Sequence, residues 1–283
     1  MTAHSIPTLI YEIIQDLRAQ HPDRPALVGI GGAQGSGKSY QCRLLALTHQ
    51  SRYAHFSLDD VYLTKAERIW RADNVSSFSA MRDQDGNFEV RHVARPVVEQ
   101  LLLTRGPPGT HDLKLAETLI ARLGQEGPTP LPRFDKATDE RAPQPAWPVF
   151  QGPAEAILVD GWCMGAKPPP PAPPLNEIEH DDVEGIWRRE TGMQLKKNYA
   201  PFFAAFDALV YLQAPNWEIV RRWRGEQEAQ TLGRPLTTEE DAALDRFVMH
   251  YERVTRSMLA GNHSAKWIVH LDEARNVVRV EEQ

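Results

Sequence analysis

A glycine-rich segment, GGAQGSGKS, has the residue types and spacing of a phosphate-binding loop. It matches G-x-x-x-x-G-K-[ST] from Gly32 to Ser39. Glycines allow consecutive backbone amides to point inward around an anion, and a following helix adds the positive end of its dipole. A lysine here can reach the β- and γ-phosphates of ATP, and the next hydroxyl can bind Mg²⁺. The predicted nucleotide-binding residues are Gly32, Ala33, Gln34, Gly35, Ser36, Gly37, Lys38, Ser39 and Tyr40.

An acid at the end of another apolar run is the expected companion of this loop. The segment AEAILVDGW places Asp160 at the tip of a predicted buried strand. A carboxylate there can hold Mg²⁺ directly or through water. The sequence therefore predicts a metal site at Ser39 and Asp160. The alternative is that Asp160 only caps the following turn.

Two more acids, Asp59 and Asp60, follow a third apolar run in the segment SLDDVY. In a parallel α/β sheet, the carboxyl ends of the strands face the ligand crevice. A carboxylate there can orient and deprotonate an acceptor hydroxyl that faces the γ-phosphate of ATP. The alternative is that Asp59 or Asp60 only caps a helix beginning near Thr64.

These side chains need a sheet to bring them together, and five apolar runs predict one. The runs are 26–32, 52–60, 154–162, 207–215 and 266–273. Continuous apolar runs are typical of strands that are covered on both faces, and helical patterns lie between several of them. We therefore predict an α/β fold with a mainly parallel five-stranded sheet and helices on both faces. The whole chain, 1–283, is predicted to form a single domain.

Other segments carry predictions about structure rather than chemistry. The apolar positions of residues 1–20 recur at helical spacing behind Ser5, a residue type that favours helix N-caps. A second helical stripe spans 244–258, behind the capping-box pattern TTEE. We interpret 69–90 as an insert and the proline-rich segment 167–174 as a stiff surface loop.

The bulk composition argues against several classes of partner. The formal net charge of −6 is unsuited to a nucleic-acid or anionic membrane surface as the main partner. Two cysteines imply no disulfide framework, the first residues do not resemble a signal peptide, and no apolar run approaches a membrane span. The expectation is a soluble cytoplasmic protein that binds neither nucleic acid nor membranes. The oligomeric state is not predicted.

Several motifs together resemble the plant-type D-glycerate 3-kinase family and its bacterial and yeast relatives. They are GxxxxGKS, SLDDVYLT, RGPPGTHDL, LPRFDKATDER, ILVDGW and RRWR, and they occur in the family's order between about 26 and 273. The family is part of the P-loop kinases, which also include uridine kinase, phosphoribulokinase and bacterial-type pantothenate kinase. The resemblance implies a P-loop NTPase fold with a helical lid, ATP and Mg²⁺ as cofactors, and phosphoryl transfer to a small-molecule hydroxyl.

The resemblance also implies roles for individual residues. Asp59 matches the proposed base, the segments 105–112 and 133–136 match loops that face the acceptor, and 216–240 matches the lid. Arg133 or Lys136 could bind an acceptor carboxylate, for which the arginine fork is the better geometric match. The predicted catalytic residues are Asp59, Lys38 and Arg224. The predicted acceptor-binding residues are Asp60, Tyr62, Arg105, His111, Asp112, Arg133 and Lys136.

An arginine of the lid is expected to close over ATP and meet the charge on the transferring phosphoryl group. The segment 216–230 has the pattern of a helix, in which Arg221 and Arg224 share a face. Arg222 and Arg224 are alternatives for the arginine that contacts ATP. An ordinary solvated helix face is the other interpretation.

The predicted reaction is ATP-dependent phosphorylation of a small organic acid, with D-glycerate as the expected acceptor and 3-phosphoglycerate as the product. One alternative is a kinase for another hydroxyl-bearing metabolite, such as a nucleoside, pantothenate or a sugar acid. A second alternative is a catalytically silent ATP-binding regulatory protein.

Overall fold

A computed structural model describes residues 5–49, 52–76, 78–82, 88–92 and 95–283 of the chain. Parts of the predicted insert, namely 77 and 83–87, lie outside the described residues. The strands are β1 (Ala26–Gly32), β2 (Tyr53–Ser57), β3 (Phe78–Arg82), β4 (Phe88–His92), β5 (Gly127–Pro130), β6 (Phe134–Asp135), β7 (Glu140–Arg141), β8 (Val149–Gly152), β9 (Ala156–Gly161), β10 (Ala208–Gln213), β11 (Trp267–Leu271) and β12 (Val277–Glu282). The α-helices are α1 (Ile6–Gln20), α2 (Lys38–Thr48), α3 (Lys65–Ser76), α4 (Pro96–Leu103), α5 (Leu113–Leu123), α6 (Glu177–Asp181), α7 (Ile186–Gln194), α8 (Ala200–Ala204), α9 (Trp217–Leu232) and α10 (Thr238–Leu259).

The central sheet has six strands in the order β12-β11-β10-β1-β9-β2. All five predicted strands are present and parallel to their neighbours, which confirms the mainly parallel sheet. Two details of the prediction were wrong. The sheet gains a sixth strand, β12, which runs antiparallel to β11, and β2 ends at Ser57 because one turn of 3₁₀-helix, Leu58–Val61, begins there.

Strand β1 lies where the strand order reverses, because the chain continues from it first to one side of the sheet and later to the other. Every residue of β1 and β9 is buried, as expected for strands covered on both faces. In open α/β sheets, ligands bind at the carboxyl ends of the strands beside this switch point. The glycine-rich loop follows β1 at this place.

Helices cover both faces of the sheet and form two apolar layers. On one face, α1, α2 and α9 contribute buried residues that include Ile14, Leu45 and Trp223. On the other face, α5, α8 and α10 contribute residues that include Leu123 and Met258. The two layers hold the strand ends, and therefore the site residues, in fixed relative positions.

Local capping explains where several predicted helices begin. The Ser5 hydroxyl accepts a hydrogen bond from the Thr8 amide at 3.3 Å and starts α1. Thr237 and Glu240 form the predicted capping box of α10. The amide of Ile219 donates to the side chain of Asn216, which starts α9. No helix in the described part of the chain combines the length and hydropathy needed to cross a bilayer.

The region of the predicted insert continues α3 to Ser76 and then forms the antiparallel pair β3 and β4. Helices α3 and α4 pack together around a small separate core that contains Ala72, Leu101 and Trp187. The proline-rich segment 167–174 has no regular secondary structure, and most of its residues are exposed. The predicted division of the chain into insert, surface loop and lid stays a prediction.

Candidate active site

The loop after β1 has the backbone conformation of an anion cradle. Gly35 and Gly37 have φ values of +75° and +89°, which side-chain-bearing residues rarely adopt. Lys38 begins α2 directly after Gly37, so the helix N-terminus faces the same space. The buried Ser36 hydroxyl has no hydrogen-bond partner among the described residues. An unpaired buried hydroxyl costs free energy, and a phosphate oxygen in the cradle would satisfy it.

Helix α9 clamps this loop from outside. A Cβ atom added to Gly35 would lie 2.6 Å from the Cβ of Trp223 and 2.8 Å from its carbonyl oxygen, so only glycine fits here. The Arg275 guanidinium donates a hydrogen bond to the Gly35 carbonyl at 2.7 Å and lies 4.9 Å from the Trp223 ring centroid. The phosphate-binding loop and α9 are therefore directly linked.

The predicted metal site joins α2 to β9. The Ser39 hydroxyl donates to Oδ2 of Asp160 at 2.7 Å, and Asp160 is fully buried. Burial by itself raises the pKa of Asp160, but hydrogen bonds from His55 and Ser39 and the nearby Lys38 charge leave it below its ordinary value. Two hard oxygen donors beside a phosphate cradle are the kind of ligand set that Mg²⁺ prefers. The residues present therefore fit Mg²⁺.

Asp59 lies in the 3₁₀ turn that follows β2 and carries two strong contacts. The Tyr62 hydroxyl donates to Oδ1 at 2.7 Å, and the Lys136 ammonium donates to Oδ2 at 2.7 Å. Burial by itself raises the pKa of Asp59, but the charge and hydrogen bond of Lys136, aided by Tyr62 and Lys38, lower it below its ordinary value. A carboxylate held in this state is ionised at neutral pH. It is a weak base until the lysine is displaced, and it is well suited to orienting a hydroxyl.

Three segments that are distant in sequence meet around Asp59. The segment after β2 and the RGPPGTHD loop form an antiparallel bridge between Tyr62 and His111. Their rings stack with centroids 4.7 Å apart. The LPRFDKATDER segment forms the hairpin β6–β7, and its Phe134 packs edge-on against Tyr62. The structure thus brings together the motifs that carry the resemblance.

The two ring nitrogens of His111 have different surroundings. Nδ1 is hydrogen-bonded to the Tyr199 hydroxyl at 2.6 Å, and the same hydroxyl accepts from the Gly109 amide at 2.9 Å. Nε2 is buried and has no partner among the described residues. Burial lowers the pKa of His111 to about 4, so the ring is neutral at physiological pH.

Replacing His111 with Gln should flatten the pH dependence of protein stability below neutrality. The pKa of His111 is about 4 in the folded protein, below its ordinary value of 6.5. The unfolded chain therefore takes up this proton first, and the native state loses stability as the pH falls from about 6.5 towards 4. The full shift corresponds to about 3 kcal/mol in the free energy of unfolding. Urea denaturation at several pH values in this window measures the slope, with the exposed His21 replaced by Gln as the control. Equal slopes in wild type and His111→Gln would contradict the assignment.

Two arginines lie beside Asp139, in the turn of the β6–β7 hairpin. The Arg105 and Arg68 guanidinium groups both donate to the Asp139 carboxylate. Both guanidinium groups also lie within 6 Å of the Phe134 ring centroid. A cavity of about 380 Å³ adjoins this cluster and is lined on another side by Phe247 of α10. Since Arg105 is partly exposed, it is the best placed of these cations to meet an acceptor carboxylate.

Of the predicted acceptor-binding residues, two use their side chains in other contacts within the protein, and a third is exposed. Oδ2 of Asp60 accepts a hydrogen bond from the Ser57 amide in the capping box of the 3₁₀ turn. Asp112 caps α5 and pairs with Arg141. The alternative for Asp59 and Asp60 was that one of them caps the helix that begins at Lys65. Neither Asp59 nor Asp60 does so in this structure. Arg133 is exposed and makes no ion pair within the described part of the chain.

The arginines of α9 separate into different environments. Arg222 is about half exposed and pairs with Glu273, on the side of the β11–β12 turn. Arg224 pairs with Glu228 and lies 5.9 Å from the ring centroid of Phe247, a residue that lines the 380 Å³ cavity. Arg221 pairs with Asp241 and Asp245 of α10 and so ties the two helices together. Arg224, but not Arg222, acts on Tyr251 together with Asp59 and Arg105, so it is the nearer of the two to the acceptor motifs. Tyr40, at the start of α2, is 67% exposed.

Sequence reasoning missed several residues that shape the site. Tyr251 lies among charged residues of the site. Its pKa is raised overall, by burial and by the charge of Asp59, and the charges of Arg105 and Arg224 offset part of this rise. Tyr199 fixes the His111 ring. Tyr251 belongs to the helical apolar stripe 244–258, which in the sequence indicates only packing, and no motif marks Tyr199. His55 and its contact with Asp160 had no sequence signal at all.

The cradle after the first strand, the acid on the neighbouring strand and the strand order together define a P-loop NTPase fold. No family model matches the chain. A solved structure of D-glycerate 3-kinase from Cryptococcus neoformans superposes with a TM-score of 0.70 at 21% sequence identity, covering 99% of this chain and all of that one. This likeness confirms the predicted fold class.

Curated relatives confirm the predicted resemblance. D-glycerate 3-kinase from Arabidopsis thaliana, a chloroplastic protein, is 28% identical over 243 residues, which cover 80% of this chain and 46% of that protein. An uncharacterized kinase of Schizosaccharomyces pombe, mug58, is 28% identical over 264 residues, which cover 87% of this chain and 86% of its own. The chain is thus a homologue of kinases that include D-glycerate 3-kinase.

Proposed function

We propose that this chain transfers the γ-phosphoryl group of ATP to a hydroxyl of D-glycerate, giving 3-phosphoglycerate. The observation that carries the proposal is the convergence of Lys38, Asp59 and the acceptor motifs at one edge of the sheet. The charge of Lys38 lowers the pKa of both Asp59 and Asp160, so the loop lysine lies near both carboxylates. The names of the relatives support the same choice of substrate.

Positioning and charge neutralisation carry most of the rate in this proposal. The loop 32–39 holds the triphosphate of ATP, and Lys38 neutralises the β- and γ-phosphates. Ser39 and Asp160 would hold Mg²⁺, which supplies further positive charge at these oxygens. Asp59 orients the acceptor hydroxyl and receives its proton.

The acceptor has to compete with Lys136 for the Asp59 carboxylate. Lys136 is 58% exposed, so it can move at little cost. An acceptor carboxylate is an alternative partner for this ammonium, and that contact would free Oδ2 of Asp59. The same carboxylate could also pair with Arg105, which is bonded to Asp139. An organic acid is therefore a better match to this site than a neutral acceptor.

Further contacts complete the proposed acceptor site. The buried Nε2 atom of His111 forms a hydrogen bond with the acceptor, and Tyr62 keeps Asp59 in place. Arg224 approaches the transferring phosphoryl group from α9. We keep three further residues as proposed acceptor-side residues, namely Asp60, Asp112 and Arg133. Asp60 and Asp112 act indirectly, because their carboxylates hold the backbone amides of the segments that face the acceptor. A cytoplasmic location also remains a proposal.

Incubation with Mg²⁺, ATP and D-glycerate should release ADP only when the acid is present, with 3-phosphoglycerate identified by mass spectrometry and ³¹P NMR. The panel should also contain L-glycerate, gluconate, pantothenate and uridine, at equal concentrations. D-glycerate is expected to have the highest kcat/KM. A higher value for another acceptor would overturn the substrate assignment. ATP binding without turnover on any acceptor would favour the silent regulatory protein.

A further inference from the structure

The proposed function gives no role to His55, which makes a short contact with the metal-site aspartate. Its Nε2 atom lies 2.7 Å from Oδ1 of Asp160. The side chains are 9% and 0% exposed, so both are withdrawn from water. A hydrogen bond between buried polar groups is strong and fixes the geometry of both partners.

The strand register explains why the imidazole lies beside this carboxylate. Strands β2 and β9 are parallel neighbours, with Ser57 paired to Asp160. His55 is two residues before Ser57 and so points to the same face of the sheet. On that face, α2 covers the pair, and the ligand atoms of Cys42, His55 and Asp160 lie within 4.8 Å of one another. The imidazole is thus enclosed by the strand and by the helix that follows the phosphate-binding loop.

The two oxygens of Asp160 have different partners. Oδ1 pairs with His55, whereas Oδ2 accepts from Ser39 at 2.7 Å and from the Ser57 hydroxyl at 3.3 Å. A carboxylate fixed at one oxygen can present the other in a single direction. In this structure that direction is towards Ser39, the other predicted Mg²⁺ ligand.

We propose that His55 is a positioning residue for the metal site, which holds Oδ1 of Asp160 so that Oδ2 is presented to Mg²⁺ together with Ser39. This inference rests on the proposed nucleotide site but does not depend on the identity of the acceptor. Partners of metal ligands commonly fix ligand orientation, and their loss typically costs about 10–100-fold in metal affinity. His55 makes no contact with the phosphate-binding loop itself among the hydrogen bonds of the described residues.

The test compares His55→Leu with His55→Gln, in which an amide donor is kept. ATP affinity is measured by calorimetry at increasing Mg²⁺ concentrations, and again in EDTA, with no acceptor present. His55→Leu should raise the Mg²⁺ concentration for half-maximal enhancement of ATP binding about 10-fold or more. Affinity in EDTA should change less than about twofold, and His55→Gln should recover most of the Mg²⁺ response. The buried His263, which lies on the strand-connecting segment before β11, is replaced by Leu as the matched control.

Three results would overturn the proposal. The first is an unchanged Mg²⁺ response in a folded His55→Leu protein. The second is an equal loss of ATP affinity with and without Mg²⁺, which would indicate a general structural role. The third is a wild-type protein that does not bind ATP, and this result would also remove the nucleotide site. A wrong acceptor, by contrast, would leave the binding result intact, so failure of the substrate assignment is distinguishable. Far-UV circular dichroism and thermal melting establish that each variant is folded.

Discussion

Asp59→Asn should lower kcat about 10²–10⁴-fold while the affinity for ATP stays within about twofold of wild type. The substitution keeps the size of the side chain but removes the charge that orients the acceptor and accepts its proton. It also removes the anionic partner of Lys136 and Tyr62. Steady-state kinetics with D-glycerate give kcat, and calorimetry gives ATP affinity.

Asp16→Asn is a suitable control for this variant. Asp16 is exposed on α1, away from the acceptor motifs. It therefore makes the same charge change without touching Asp59. Near wild-type turnover in Asp59→Asn would show that another group aligns the acceptor. Loss of ATP binding in the variant would mean that Asp59 belongs to the nucleotide site.

Lys38→Met should lower kcat about 10²–10³-fold or more and also weaken ATP binding. The methionine keeps most of the side-chain volume but removes the positive charge at the start of α2. That charge acts on the phosphates in both the ground state and the transition state, so kcat and ATP affinity should both fall. The same kinetic and calorimetric measurements separate the two effects.

Lys114→Met is the control, because Lys114 is exposed on α5. A Lys38→Met protein with unchanged ATP affinity and turnover would contradict the assignment of 32–39 as the phosphate-binding loop. Comparison with Asp59→Asn is informative in itself. The two variants should share a loss of turnover, but only Lys38→Met should lose nucleotide affinity.

The parts of the fold that depend on short-range patterns were predictable from the sequence. The five parallel strands are continuous apolar runs, and the starts of α1, α9 and α10 carry capping residues. The phosphate-binding loop is defined by glycines at fixed spacing. Strand β12 was missed because half of VVRVEE is charged, so it is not a continuous apolar run, and it lies at the edge of the sheet, where charged side chains are tolerated.

Much of the site could not be predicted because its contacts join residues that are far apart in the chain. Asp59 and Lys136 are separated by 77 positions, and His55 and Asp160 by 105. No local pattern marks such a pair, and only the register of β2 against β9 brings the second pair together. Motif resemblance identified segments but not the use of each side chain. Asp60 and Asp112 illustrate this, since their carboxylates hold backbone amides in this structure.

The contact of Gly35 with Trp223 and Arg275 has a consequence for how the enzyme can move. Gly35 packs against Trp223 without room for one added carbon atom, and Arg275, which stacks on Trp223, holds the Gly35 carbonyl, so a shift of α9 would disturb the loop backbone. Arg222 and Arg224 are the residues directly before and after Trp223 in the chain. A change in the phosphate-binding loop is therefore expected to shift the part of α9 that carries both guanidinium groups. The phosphate-binding loop and the arginines Arg222 and Arg224 are therefore expected to move together rather than independently.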